Sequence, residues 1–166
     1  MTSPHIKSAR NHGTEKEGIR YLLGAGGGYH KVSSDIKRRI LDLLSIDQSN
    51  HTPRCFDLVR VRNHRGRTPR LTLQSVEPLV ADGKLRLIEV KTTKAEIPDA
   101  TLSGFFFGAT QSEYKIAKRL GDSYAFAFVV LNKQNVFGTF FHVELTLAEV
   151  TRRTLRKRIQ YQVNLR

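Results

Sequence analysis

The sequence predicts one α/β domain in which a mixed β-sheet is flanked by helices, and three observations carry that prediction. Segments whose apolar residues recur at helical spacing are interspersed with segments that alternate every second residue, in the order helix, helix, three strands, helix, strand, strand, helix. The run from Tyr124 to Leu131 is apolar without a break, as expected of a strand covered on both faces. With 166 residues, 39% of them hydrophobic, and no internal repeat, the chain is long enough for one core and offers no boundary for a second.

Taken in order, residues 1–13 are polar and basic and are expected to form a flexible arm ahead of a domain spanning 14–166. Thr14 and Glu17 are spaced as a capping box, and Ile19, Leu22 and Leu23 then recur helically up to Gly24. The glycines after it lack both a preceding apolar strand and a following Gly-Lys-Ser/Thr, so a turn into a short extended piece, Tyr29 to Val32, is expected rather than a phosphate loop. Ser34 is expected to cap a helix over 34–46 with Ile36, Ile40, Leu43 and Leu44 on one stripe and Lys37, Arg38 and Arg39 off it. Phe56 to Arg62 alternates, with Asp57, Val59 and Val61 on one face. A turn at 64–67, a strand over 71–76 and a hairpin turn at Asp82-Gly83 then lead into Leu85 to Lys91. After a loop containing Pro98, Gly104 and three phenylalanines, Thr110 and Glu113 form a second capping box that opens a helix ending at Gly121. Strands over 124–131 and 137–143 and a basic helix capped by Thr146 and Glu149 complete the order.

Charge narrows the partners. The 28 Lys and Arg outnumber the 15 Asp and Glu, for a net charge of +13, which points to a polyanion and most often to nucleic acid. A single cysteine, Cys55, excludes an internal disulfide and a cysteine-based metal cluster and fits a reducing compartment, the cytoplasm or the nucleoid of a bacterial or archaeal cell. Met1 to Asn11 lack the apolar core of a secretory signal, no apolar run of about eighteen residues occurs, and no membrane partner is expected. The six histidines show no metal-ligand spacing.

Chemistry concentrates at the end of one strand. An acid and a lysine two residues apart occur four times, at Asp35/Lys37, Asp82/Lys84, Glu89/Lys91 and Glu113/Lys115. On a helix, residues two apart point about 200° away from each other, which removes the first and last pairs, and Asp82 sits in a turn. Glu89 and Lys91 stand on a strand, on the inner face with Leu85 and Leu87. Charges on an inner face are paired or hold a metal, because burying them alone costs several kcal/mol or more. A magnesium ion needs a second carboxylate from a neighbouring strand, and Asp57 is the candidate.

Asp57 followed by Glu89-Val90-Lys91 resembles the PD-(D/E)XK nuclease superfamily, which includes many restriction endonucleases and Holliday-junction resolvases. The stretch from Ile88 to Thr93, then Phe107 to Glu113, a helix, and Gly121 to Phe126 is similar to the nuclease-like domain at the C-terminus of NO VEIN-type proteins. The likeness spans residues 14–131, and Phe56 stands where the superfamily usually has proline.

The resemblance implies a restriction-endonuclease-like fold and a Mg²⁺-dependent endonuclease, with Mn²⁺ able to substitute, that cuts double-stranded DNA to leave 5′-phosphate and 3′-hydroxyl ends. Asp57, Glu89 and the Val90 carbonyl would hold one or two metal ions, with Glu17 as a further ligand. Lys91 would orient or deprotonate the attacking water, and Gln111 would lie near the scissile phosphate. Lys115, Lys118 and Arg119 would grip phosphates, and Arg60, Arg62, Arg65, Arg67 and Arg70, on one strand-turn-strand unit, would read bases or face solvent. A homodimer with one site per strand suits the two-fold symmetry of duplex DNA. The arginines and the helix over 34–46 lean toward a type II restriction enzyme over a junction resolvase or repair nuclease. RNA cleavage and a non-catalytic basic nucleic-acid-binding protein are the other readings. In the last of these Glu89 and Lys91 form a structural ion pair, Asp57 bridges to Arg54, Arg60 or Arg62, and Glu17 and Glu113 merely cap helices.

Overall fold

The computed structural model describes residues 8–48, 55–62 and 70–153. Its centre is a five-stranded mixed sheet in the order β1-β2-β3-β4-β5. The strands are β1 (Tyr29–His30), β2 (Leu58–Val61), β3 (Leu85–Thr93), β4 (Tyr124–Val130) and β5 (Phe141–Leu145). Only β3 and β4 run parallel, and the other neighbours are antiparallel. The parallel pair needs a crossover, which α4 (Gln111–Leu120) supplies.

Helices cover both faces. Residues 85 and 87 of β3 join Val59 and Val61, Tyr124, Phe126 and Phe128 in the larger core, packed by Ile40 and Leu41 of α2 (Ser34–Leu43), Val76 of α3 (Leu73–Ala81), Ile116 and Ala117 of α4 and Val150 of α5 (Leu147–Arg153). Residues 88 and 90 point the other way, with Leu58, Ala125, Ala127 and Val129, against Leu22 of α1 (Ser8–Gly24). Every residue of β4 is buried, as its unbroken apolar run predicts. Close approach of α1 to the sheet requires Gly18, where a Cβ would stand 2.1 Å from Thr92 Oγ1.

Several local expectations are corrected. Residues 71–76 do not form a strand. Thr72 accepts the Ser75 N–H at 3.2 Å and Ser75 Oγ accepts the Thr72 N–H at 2.8 Å, a reciprocal cap that opens α3 and turns the apolar residues to helical spacing. Asp82-Gly83 therefore ends a helix rather than joining two strands. Gly83 at φ 62° donates to Val80 O, and Lys84 donates to Leu79 O, which together form a Schellman turn. Helix α1 begins at Ser8, so Thr14 and Glu17 lie within it rather than at its start. Ser33, not Ser34, caps α2, which stops at Leu43, and the last strand begins at Phe141 rather than Phe137. The expected turn at 64–67 lies outside the described residues.

Candidate active site

The antiparallel ladder sets Leu58 opposite Ile88, so the residue just before β2 meets β3 at Glu89 and Val90. Asp57 N–H donates to Ile88 O at 2.9 Å, and Asp57 Oδ2 accepts the Val90 N–H at 2.8 Å. Two acids far apart in sequence are thereby fixed side by side. Strand alternation turns Glu89 and Lys91 toward the larger core, beyond Leu85 and Leu87. Lys91 Nζ donates to Glu89 Oε1 at 2.8 Å and to Glu113 Oε2 at 3.0 Å. That same Glu113 oxygen accepts the Thr110 N–H at 2.9 Å, so one carboxylate both caps α4 and holds the lysine. Glu89 and Glu113 are both buried, and they share one ammonium.

Lys37 approaches from α2. Its Nζ donates to Phe56 O and lies 4.6 Å from the centre of the Phe56 ring. Beneath the cluster, Tyr124 O–H donates to Cys55 O at 2.7 Å, tying β4 to the segment that carries Asp57.

The electrostatics are those of crowded, desolvated acids. Burial, and then the neighbouring Asp57 carboxylate, push the Glu89 carboxyl up to about 9. Burial also raises Asp57, although the Val90 N–H and Lys37 pull it back. Desolvation alone would lower the Lys91 ammonium, but Glu89 and Glu113 outweigh it and the group is raised. Lys37 is lowered by burial, with Asp57 opposing. The metal-free protein therefore holds a proton on Glu89 at neutral pH, while Lys91 keeps its charge against Glu113. Glu89 Oε2 is buried and has no hydrogen-bond partner. An orphaned buried carboxyl oxygen is unfavourable by about 1–3 kcal/mol unless a ligand meets it.

That donor set fits a divalent cation of the magnesium type. Among the described residues no group of three or more His, Cys, Asp or Glu side chains is placed to hold a metal. Magnesium does not require one, since it is commonly held by one or two carboxylates with water and phosphate oxygens completing its shell. Asp57, Glu89 and the Val90 carbonyl are the residues that would hold it.

The other expected site residues are distributed unevenly. Glu17 is not part of the cluster. Residues 88, 90 and 92 face α1, and Glu17 pairs with Lys94 at 2.5 Å, on the side of the sheet away from Glu89. Gln111 is exposed at the first position of α4, two residues before Glu113 in the chain. Lys115 and Lys118 are exposed on the same helix, whereas Arg119 donates to Ser45 O at 2.7 Å.

The arginine unit does not stand free. Arg60 bonds Gly27 O and Glu144, Arg62 donates to Asp122 O, and Arg70 is exposed ahead of α3, while Arg65 and Arg67 lie outside the described residues. Because residues 73–76 belong to α3, the second strand of the unit that grouped these arginines is absent among the described residues. Lys37 and Glu113 are members that the sequence did not single out. Glu113 was masked by its capping-box position, and nothing in the helical pattern distinguishes Lys37 from Arg38 or Arg39.

Residues 72–142 match the protein family described as Protein NO VEIN, C-terminal. The match includes Glu89, Lys91, Gln111 and Glu113 and begins after Asp57 and Lys37. No curated protein and no solved structure matches the chain. Over β3, α4 and β4, which carry most of the carboxylate cluster, the chain is thus similar to the C-terminal domain of Protein NO VEIN.

Proposed function

We propose that the protein is a metal-dependent endonuclease acting on DNA. The observation that carries this is the buried Glu89, with one oxygen on Lys91, the other without a partner, and Asp57 fixed beside it by the Val90 N–H. Bound Mg²⁺ would polarise the scissile phosphate and lower the pKa of a water molecule. Lys91, held by Glu113, would orient that water and offset charge that develops on the phosphate. Lys37 adds a second cation beside Asp57. Transfer of the phosphoryl group to water breaks the bond to the 3′ oxygen, leaving 5′-phosphate and 3′-hydroxyl ends. The net charge of +13 suits a phosphodiester substrate.

Support for a restriction enzyme in particular is reduced, because Arg60 and Arg62 are engaged within the protein. A junction resolvase or repair nuclease uses the same site equally well. The rival from another class, a non-catalytic nucleic-acid-binding protein, rests on the same charge. The discriminating experiment incubates supercoiled plasmid with Mg²⁺ or Mn²⁺ and the wild-type, Lys91→Ala or Asp57→Asn protein. Cleavage by the wild type alone supports the proposal, cleavage surviving both substitutions defeats the residue assignment, and binding without cleavage in either metal favours the rival. Parallel assays on duplex RNA identify the nucleic acid.

A further inference from the structure

The linker from β3 to α4 carries an aromatic residue that the site does not use. Along Phe105-Phe106-Phe107 the side chains alternate, and the two outer rings pack inward. Phe105 meets Phe128 edge-on at 5.1 Å, and Phe107 meets Phe128 at 4.8 Å and Phe126 at 5.8 Å. Phe126 and Phe128 are the residues of β4 paired with Glu89 and Lys91. Phe106, between them, is left 86% exposed, the most exposed large apolar side chain among the described residues.

Its position is fixed rather than loose. Leu102 adopts a left-handed conformation at φ 62°, which is uncommon and unfavourable for a leucine, with its N–H on Asp99 O and its carbonyl accepting the Phe105 N–H. Three residues beyond Phe107 the chain reaches Thr110, whose N–H is bonded to the Glu113 carboxylate that holds Lys91. Cations flank the linker. Arg153 of α5 donates to Ala100 O at 3.3 Å, and Lys115 and Lys118 are exposed on α4, into which the linker runs.

A phenylalanine held out into water on the linker that joins the strand of Lys91 to the helix of Glu113, in a chain of net charge +13, matches the chemistry of a nucleobase, which offers an apolar face attached to an anionic backbone. We infer that Phe106 stacks on an unpaired or splayed base next to the scissile phosphate, so that the substrate class is DNA with an unstacked nucleotide, such as an end, gap, mismatch or branch, in preference to continuous duplex. This rests on the endonuclease reading for what the neighbouring site does, while its own signal is a binding signal.

The test uses the full chain with Ca²⁺ in place of Mg²⁺ and oligonucleotides that carry 2-aminopurine in a single strand, opposite a one-nucleotide gap, or within continuous duplex. The wild type should bind the first two about tenfold more tightly than the third and quench their fluorescence. Phe106→Ala should lose about tenfold in affinity for unpaired substrates alone, and Phe106→Trp should restore it. Equal binding of gapped and continuous DNA by the wild type, or unchanged binding and quenching by Phe106→Ala, overturns the inference. So does a change of self-association in Phe106→Ala with DNA affinity intact, which would assign the ring to a protein contact. An uncut plasmid in Mg²⁺ and Mn²⁺ with the stacking signal present would remove the nuclease reading and leave Phe106 as a base-binding residue.

Discussion

Two charged clusters stand on opposite faces of the same sheet, and they differ in how completely their carboxyl groups are met. On the α1 face, Glu144 of β5 accepts Arg60 at 2.9 Å, Arg86 at 3.2 Å and the Tyr29 hydroxyl, and Tyr29 also meets His142 Nε2 at 3.1 Å. Arg86 and Arg62 extend the network to Asp122 O. One carboxylate there faces two guanidinium groups, and both of its oxygens are used. Burial, reinforced by the bond to Glu144, raises the Tyr29 hydroxyl far above its ordinary value, so it stays protonated. On the other face, Glu89 and Glu113 share a single lysine, Asp57 adds a further carboxylate, and Glu89 Oε2 is left without a partner. A buried carboxylate that serves stability has both oxygens met, because an unmatched group lowers stability. An excess of acid with an open oxygen is the arrangement expected where a cation from outside belongs.

The comparison can be broken first through activity. Lys91→Ala should lower plasmid cleavage about 10²- to 10³-fold, as loss of a group that meets charge developing in the transition state does. Glu144→Gln should leave cleavage within about twofold of the wild type. A cleavage rate equally reduced in both variants, measured under single-turnover conditions, would erase the distinction between the faces.

Glu144 should show itself in stability instead. Removing one partner of a fully buried pair costs about 3–5 kcal/mol. Arg60 keeps 36% of its side-chain surface and Arg86 21%, so solvent screens the pairs, and Glu144→Gln should cost about 1–2 kcal/mol in urea unfolding. Loss of less than about 0.3 kcal/mol would mean that the Glu144 network is ornamental.

A sharper contrast lies in pH. The folded Glu89 carboxyl titrates near 9 and the unfolded one near its ordinary 4.5, so the folded state binds the extra proton between these values. That contribution to stability is complete below the unfolded value and is lost as pH rises through the folded one. The metal-free wild type should therefore grow less stable from about pH 5 to about pH 9, by more than Glu89→Gln does. Denaturant melts at pH 5.5 and 8.5 read the difference. A wild-type slope no steeper than that of the variant would show that Glu89 does not carry the proton.

The smallest effect is expected at Glu17. Its pair with Lys94 is about half exposed, and Glu17→Gln should change stability by less than about 0.5 kcal/mol and leave cleavage intact. A loss of activity above about tenfold would place Glu17 at the metal after all.

What could be read in the sequence follows from how local each signal is. The β3 strand, the burial of Glu89 and Lys91 on one face, the buried β4 and the caps of α4 and α5 all rest on periodicity within a few residues, and they stand in the fold. Residues 71–76 misled because a short apolar stretch fits both periods, and the Thr72 and Ser75 side chains decide between them. Asp57 could be nominated from its strand, but its fixation by the Val90 N–H depends on the β2–β3 register, which sequence spacing does not encode. Glu17 and Glu113 looked alike as capping-box acids. Only the packing of α1 on one face and α4 on the other separates them, leaving Glu17 on the surface and bringing Glu113 to Lys91.

The most direct measurement is Mn²⁺ binding followed by electron paramagnetic resonance, at pH 8, on the wild-type, Glu89→Gln and Glu144→Gln proteins. Proton competition at Glu89 should make the wild-type affinity rise with pH toward about 9. Bound Mn²⁺ that is lost in Glu89→Gln and retained in Glu144→Gln is the predicted result. Mn²⁺ bound equally by all three proteins, or by none, would contradict a metal site at Asp57 and Glu89.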